Sequence, residues 1–343
     1  MNSFVIYGIL LITIGALMSG SFSIPFDKVK QWKWETSWLV YCLFGYLIVP
    51  LAVCLLAVPN FISILTQVPF RTLLWVFLLG ALYGAANLTF GLSLRYLGLA
   101  LGYALSLGLM MALGTLVPPA LDGRLAQLFE GNAGMLLISG IVISLTGIGI
   151  SGYAGFLKGK QTSDNSGVNK EFNLKKGLAA ALFVGVIGSA AALGIEQGNP
   201  IAKRCVENGV NPLFQDSVVF LVLYSGSFVT TLIWCLYLSV KNKTLKDFVQ
   251  VRTGSLGINY LCCALAGLLW FINYVFFGMG KSQMGEFSFV AWGILMTMTI
   301  VCATLWGLYR KEWKGVSIKI YLLMWTGLIV LVGASFLIGI SVN

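Results

Sequence analysis

The sequence predicts an all-α polytopic membrane protein: ten transmembrane helices arranged as two inverted five-helix repeats. Three observations lead there. Of 343 residues, 58% are apolar and 10% charged, against roughly one-quarter charged in a soluble domain. Ten apolar runs each reach the about 20 residues needed to cross a hydrocarbon core of roughly 30 Å. Two glycine-rich stretches half a chain apart, GALYGAANLTFGLSLRYLG (Gly80 to Gly98) and GLLWFINYVFFGMGKSQMG (Gly267 to Gly285), place Gly80, Gly91 and Gly98 at the offsets of Gly267, Gly278 and Gly285, with Phe90 matching Phe277.

The first run, 4–24, has no Lys or Arg before it, so the charged start of a cleaved signal peptide is missing and the run reads as a retained helix. Ser19, Ser21 and Ser23 lie after Gly20 and before Pro25, where hydroxyls can meet freed backbone, another helix or a solute. The second run, 37–58, follows Trp32 and Trp34 and includes Trp38, aromatics suited to the membrane interface. In the third, 72–92, Gly80, Gly84, Asn87 and Gly91 advance by helical steps and line one face. Such a face either packs closely on another helix or lets a polar ligand reach the backbone. The fourth run, 97–119, is glycine-rich at Gly98, Gly102 and Gly108, and the fifth, 134–157, runs into a polar linker at 158–176.

The sixth run, 177–197, ends in GIEQGNP, where Gly198 and Pro200 should stop the helix just after Glu196. Asp216 opens the seventh, 217–240. The eighth, 256–279, carries Gly267, Phe271, Tyr274 and Gly278 on one face with Trp270 and Asn273 beside it. Rings next to an amide suit a sugar, whose C–H face packs on a ring while its hydroxyls bond Asn; they equally suit a bundle core. Glu286 opens the ninth run, 287–309, where Trp292 stands beside Gly293 as a further lining candidate, and the tenth is 318–341.

The linker at 158–176 separates a first repeat, 1–157, from a second, 177–343. Five spans is an odd number, so a repeated second half lies upside down in the bilayer, the arrangement that places a solute site at the midplane between two gates. The Pro25 to Lys28 spacing recurs as Pro200 to Lys203. Loops of odd number hold seventeen Lys and Arg and even ones five, which puts the odd loops in the cytoplasm and both termini outside. The net charge of +10 reflects this asymmetry, which calls for membrane lipids and not nucleic acid as surroundings.

The chemistry on offer is sparse. The chain has no histidine, the commonest metal ligand and neutral-pH base, and no two carboxylates within one span, so neither an enzyme nor a metal or cofactor site is expected. Its seven cysteines, six inside apolar spans and Cys205 in a short external loop, show no Cys-x-x-Cys spacing and read as small buried residues. Ionisable groups beside a span are the pointers to ion coupling. Glu196 and Glu286 are the proton-coupling candidates, since a partly desolvated carboxylate on the external side could load a proton. Asp216 is open to the same proton-loading reading but reads first as a favourable helix-start charge, as Glu286 also could, and Lys281 reads as a partner for Glu286 across a short loop.

Several segments together carry a family likeness: PFDKVKQWKWET (Pro25 to Thr36), the Gly80 to Gly98 stretch, GTLVPP (Gly114 to Pro119), EFNLKKGL (Glu171 to Leu178), NPLF (Asn211 to Phe214), AGLLWFINYVFFGMG (Ala266 to Gly280) and KEW (Lys311 to Trp313). In this order the chain resembles, nearly end to end, the bacterial L-rhamnose–proton symporters of the drug/metabolite transporter superfamily. The resemblance implies ten helices in two inverted repeats, residence in the bacterial inner membrane, and uptake of the deoxyhexose with a co-transported proton. Asn87, Trp270, Asn273, Tyr274, Ser19 and Trp292 are the sugar-site candidates. An exporter of drugs or metabolites on the same architecture, or uptake of another deoxyhexose with Na+ or no ion, are the alternatives.

Overall fold

A computed structural model describes residues 3–97, 99–121, 123, 131–166, 173–250, 256–285, 288–311 and 313–340. The described residues are helical without strands, and ten helices among them are long and apolar enough to cross a membrane. They are α1 (Val5–Lys28), α2 (Trp34–Ala57), α3 (Phe70–Ser93), α4 (Ala104–Leu121), α5 (Gly134–Gln161), α6 (Lys175–Glu207), α7 (Pro212–Lys241), α8 (Leu256–Lys281), α9 (Val290–Tyr309) and α10 (Ile318–Gly339). Large apolar side chains such as Leu56, Ile233, Leu261 and Ile329 stand exposed on the outside. In water such a surface would be an adhesive patch; against lipid it is the expected solvent face.

Irregularities in two helices have local causes. In α2 a π-helical stretch, Leu43–Ile48, precedes Pro50, which has no N–H to offer the Tyr46 carbonyl four residues back. In α6 the chain breaks at Ser189, whose hydroxyl donates to the Val186 carbonyl at 2.7 Å, a side-chain bond that competes with the helical ladder. The helix does not stop at Gly198 and Pro200 as the sequence suggests. It bends there and resumes as a short amphipathic helix, Asn199–Glu207, with Pro200 in its first turn, a position where the missing N–H costs nothing. Cys205 is therefore buried on that helix and not in a loop.

The two halves interleave. α3 lies against α6 and α7, and α8 lies against α1 and α2; α4 meets α5, α6 and α9, and α9 meets α1, α4 and α10; α5 runs along α10. Exchanging α1 with α6, and so on through α5 with α10, leaves these principal neighbours unchanged. Gly80 and Gly267, a matched pair, sit at corresponding junctions. A Cβ at Gly80 would strike the Leu223 carbonyl of α7, and one at Gly267 would lie 2.7 Å from both the Gly45 amide nitrogen and the Tyr41 carbonyl of α2. These helices meet backbone to backbone, which is how membrane helices gain packing without a hydrophobic drive between them. Ser227 Oγ donates to the Gly80 carbonyl at 2.7 Å and Thr230 Oγ1 to that of Ala81 at 2.9 Å, so the α3–α7 seam is also bonded.

At the end where α2 and α8 begin and α7 finishes, polar side chains tie the loops. Asn259 donates to the Lys30 carbonyl at 2.9 Å and accepts from the Lys30 amide at 3.1 Å. The buried Glu35 Oε1 accepts from Asn242 Nδ2 at 2.9 Å and Thr244 Oγ1 at 3.0 Å.

Candidate functional site

Rings from four helices converge near the middle of the bundle. Trp270 and Tyr274 are one turn apart on α8, so both face the same way, and their rings lie 4.9 Å apart. Tyr224 of α7 sits 4.9 Å from Trp270 and 4.8 Å from Tyr274. Tyr46 of α2 approaches Trp270 to 4.6 Å and Tyr224 to 5.7 Å, and Tyr83 of α3 stands 6.1 Å from Tyr224. The irregular turn ahead of Pro50 contains Tyr46. Asn87 Nδ2 donates to the Tyr46 hydroxyl. Four phenols, an indole and a carboxamide thus meet in one buried cluster.

The sequence candidates separate on this map. Asn87, Trp270 and Tyr274 come together. Asn273 turns to a different side of α8: its amide donates to the Trp270 carbonyl of its own helix, and its backbone carbonyl faces Gly15 of α1. Trp292 lies further along, with its ring 6.2 Å from that of Phe277 and its indole N–H donating to the Met110 carbonyl at 3.3 Å. Ser19 is half-buried on α1 and takes no part in the ring cluster among the described contacts; its neighbour Ser21 accepts a bond from Trp306 Nε1 at 2.7 Å. Glu286 lies outside the described residues.

A small cavity joins Trp292 to Glu196, with Gly114, Ala192, Ile195, Phe277, Ser288 and Phe289 around it. Pro118 and Pro119 in α4 remove the helical donors of the Gly114 and Thr115 carbonyls, so this wall carries backbone acceptors as well as rings.

Beyond Glu196 is an ion cluster. Lys281 Nζ of α8 donates to Asn199 Oδ1 at 3.1 Å and to Asp216 Oδ1 at 3.4 Å, and stands 3.8 Å from Glu196 Oε1. Asn199 Nδ2 in turn donates to Glu196 Oε2 at 2.9 Å. The lysine and aspartate side chains are 4% and 1% exposed and that of Glu196 12%. Asp216 occupies the position before the helix Ser217–Lys241 but makes no side-chain capping bond; its charge answers the lysine. Lys281 therefore sits with Asp216, Asn199 and Glu196; the expected cross-loop partner, Glu286, lies outside the described residues.

Rings and ions share one seam. On α7, Asp216, Phe220 and Tyr224 recur every four residues, and on α8 Lys281, Phe277, Tyr274 and Trp270 run back at helical spacing. Phe220 bridges the two rows, 5.7 Å from Tyr274 and 6.3 Å from Phe277. At 1.5 Å per residue the ion cluster lies about 12 Å from Tyr224 along α7. Tyr46, Tyr83 and Tyr224 are the members that sequence reading left out, and Asp216 and Lys281 are members that it noticed without pairing them. The 216, 220, 224 periodicity was the available signal for two of them.

Comparison with known proteins finds likeness along the whole length of the chain. The family model described as L-rhamnose-proton symport protein (RhaT) matches residues 1–343. The L-rhamnose-proton symporters of Yersinia pestis (strain Pestoides F) and Yersinia pseudotuberculosis serotype O:3 (strain YPIII) are 31% identical over 344 residues, covering 99% of this chain and 99% of each relative. That of Escherichia coli (strain 55989 / EAEC) is 30% identical over the same span. With full-length agreement of this kind, the chain belongs to the L-rhamnose-proton symport protein family.

Proposed function

We propose that the protein is a secondary transporter of the bacterial inner membrane that imports L-rhamnose together with a proton. The observation that carries this reading is the buried cluster of Tyr46, Tyr83, Tyr224, Trp270 and Tyr274 with Asn87, in a chain whose full-length relatives are named for that sugar. A deoxyhexose is uncharged, with a methyl group and C–H faces that pack on rings and hydroxyls that exchange bonds with phenols and a carboxamide. The rings are in mutual contact, so the sugar enters by parting them. Binding then favours a different arrangement of the bundle and can drive a conformational change.

Alternating access is supported by the neighbour pattern of the helices, which survives exchange of the halves 1–157 and 177–343 about the linker 158–176. Two such units of opposite orientation, as in the drug/metabolite transporter superfamily, rock about the shared seam and open the ring cluster to one side at a time. The excess of Lys and Arg in the odd loops supports external termini and an external position for the Lys281 cluster. Glu196, which lines the cavity beside Trp292, belongs to the route by which sugar and proton arrive. Ser19 and Asn273 flank that route on α1 and α8.

Uptake of labelled L-rhamnose by proteoliposomes under an imposed inward proton gradient tests the proposal. Accumulation above equilibrium that collapses with a protonophore is the expected result. Gradient-driven efflux would instead favour an exporter, and accumulation that follows Na+ and ignores the proton gradient would reassign the coupling ion.

A further inference from the structure

We propose that Asp216 is the group that takes up the co-transported proton, with Lys281 as a mobile counter-ion that passes from Asp216 toward Glu196 and Asn199 when the proton arrives. The inference rests on the symport reading above and names its coupling device. It starts from a charge count. Among the described residues, Asp216 and Glu196 stand within 4 Å of the Lys281 ammonium, two negative charges against one positive, so these three carry a net charge of −1 that a single proton cancels. Charge left uncompensated in a buried site is costly, and moving a neutral cluster through a conformational change is easier than moving a charged one.

The two carboxylates are not equivalent. Glu196 is the more exposed, and its Oε2 already accepts the Asn199 amide. Asp216 is buried, binds the ammonium through Oδ1 alone, and its Oδ2 has no hydrogen-bond partner among the described residues. An ionised carboxylate buried with one oxygen unbonded is costly, and a proton on Oδ2 removes that charge without moving any helix. Among the described residues, the other groups facing Asp216 add no positive charge: the Cys205 thiol comes from the short helix Asn199–Glu207, and from α2 comes Cys54, whose Sγ lies 3.4 Å from the Ser217 carbonyl. Gly278 of α8 closes the last side, where a Cβ would come within 3.4 Å of that of Asp216.

The step is simple in its balance. One O–H bond forms on Asp216, the ammonium keeps all its protons, and it shortens its 3.8 Å approach to Glu196 as it leaves Oδ1. Because Lys281 and Asp216 end the same rows that carry Tyr274, Trp270, Phe220 and Tyr224, loosening their bond lets α7 and α8 move relative to one another where the rings must part.

Three variants in proteoliposomes test this, each read by gradient-driven accumulation and by rhamnose counterflow, which needs no coupling. Asp216→Asn is expected to lose accumulation above equilibrium while keeping counterflow, and its sugar binding should lose its pH dependence. Glu196→Gln is expected to accumulate sugar more weakly but still in response to the proton gradient. If Asp216→Asn fails to fold because Lys281 is left unpaired, the double variant Asp216→Asn with Lys281→Gln removes both charges and should exchange without accumulating. Accumulation in either Asp216 variant would overturn the assignment, as would loss of coupling confined to Glu196→Gln. Absence of proton-driven uptake in the native protein would instead remove the symport reading and this proposal with it.

Discussion

Gly267 and Gly45 meet with nothing between their backbones: a Cβ on Gly267 would sit 2.7 Å from the Gly45 nitrogen. Backbone atoms on both sides cannot step aside as a side-chain tip could. Overpacking of this kind costs about 1–3 kcal/mol, so Gly267→Val should lower the unfolding temperature of the detergent-solubilised protein and cut uptake sharply. Gly91, which lines the same nominal face as Gly80 but has open space around it, supplies the control. Gly91→Ala should be neutral or stabilising by up to about 1 kcal/mol through helix propensity. Equal damage from both substitutions would remove close packing as the reason for the glycine at 267.

Asn87 and Tyr46 come from helices 41 positions apart in sequence and share one hydrogen bond. Removing either partner leaves the other buried without its bond, at about 1–3 kcal/mol. Asn87→Leu and Tyr46→Phe should each weaken rhamnose binding by tenfold or so, and the double variant should be no worse than the poorer single one. Titration calorimetry on the four proteins gives the coupling; strict additivity would separate the two residues.

Trp270 contacts Tyr46, Tyr224 and Tyr274 with ring centroids at 4.6 to 4.9 Å. Trp270→Ala should abolish measurable sugar binding while Trp325→Ala, on the partly exposed face of α10, leaves it intact. Binding measured with radiolabelled sugar avoids reliance on indole fluorescence. Retained affinity in Trp270→Ala would move the sugar site away from the ring cluster.

All seven native thiols are buried, so a membrane-impermeant maleimide should leave the folded native protein unlabelled and report only introduced cysteines. Asn165→Cys, in the linker between the halves, and Pro200→Cys, at the bend of α6, are expected to react from opposite compartments. Labelling of both from the same side would contradict the inverted arrangement.

At the loop end opposite Lys281, Glu35 holds Asn242 and Thr244 through a single oxygen. Glu35→Ala would leave two donors unmatched and should destabilise the protein by about 1–3 kcal/mol, visible as a lower melting temperature. Glu35→Gln keeps an acceptor oxygen and should recover most of the loss.

By itself the sequence determined the solvent, the ten helices and the family, because length, hydropathy and local motifs are properties of contiguous residues. It also placed Tyr274 on a face of α8 with Trp270 beside it, and Asn87 on a face of α3, since helical spacing needs no tertiary information. What only the tertiary structure decided was which faces meet. Tyr46 reaches Trp270 and Asp216 reaches Lys281 across gaps of 224 and 65 residues, and Asp216 looks like an ordinary helix-start charge until its neighbours are known. The helix that resumes after Pro200 buries Ile201, Ala202 and Cys205, contacts that the local Gly and Pro signal does not reveal. Burial and charge pairing belong to the folded whole, and a one-dimensional pattern carries them only where both partners lie on the same turn of helix.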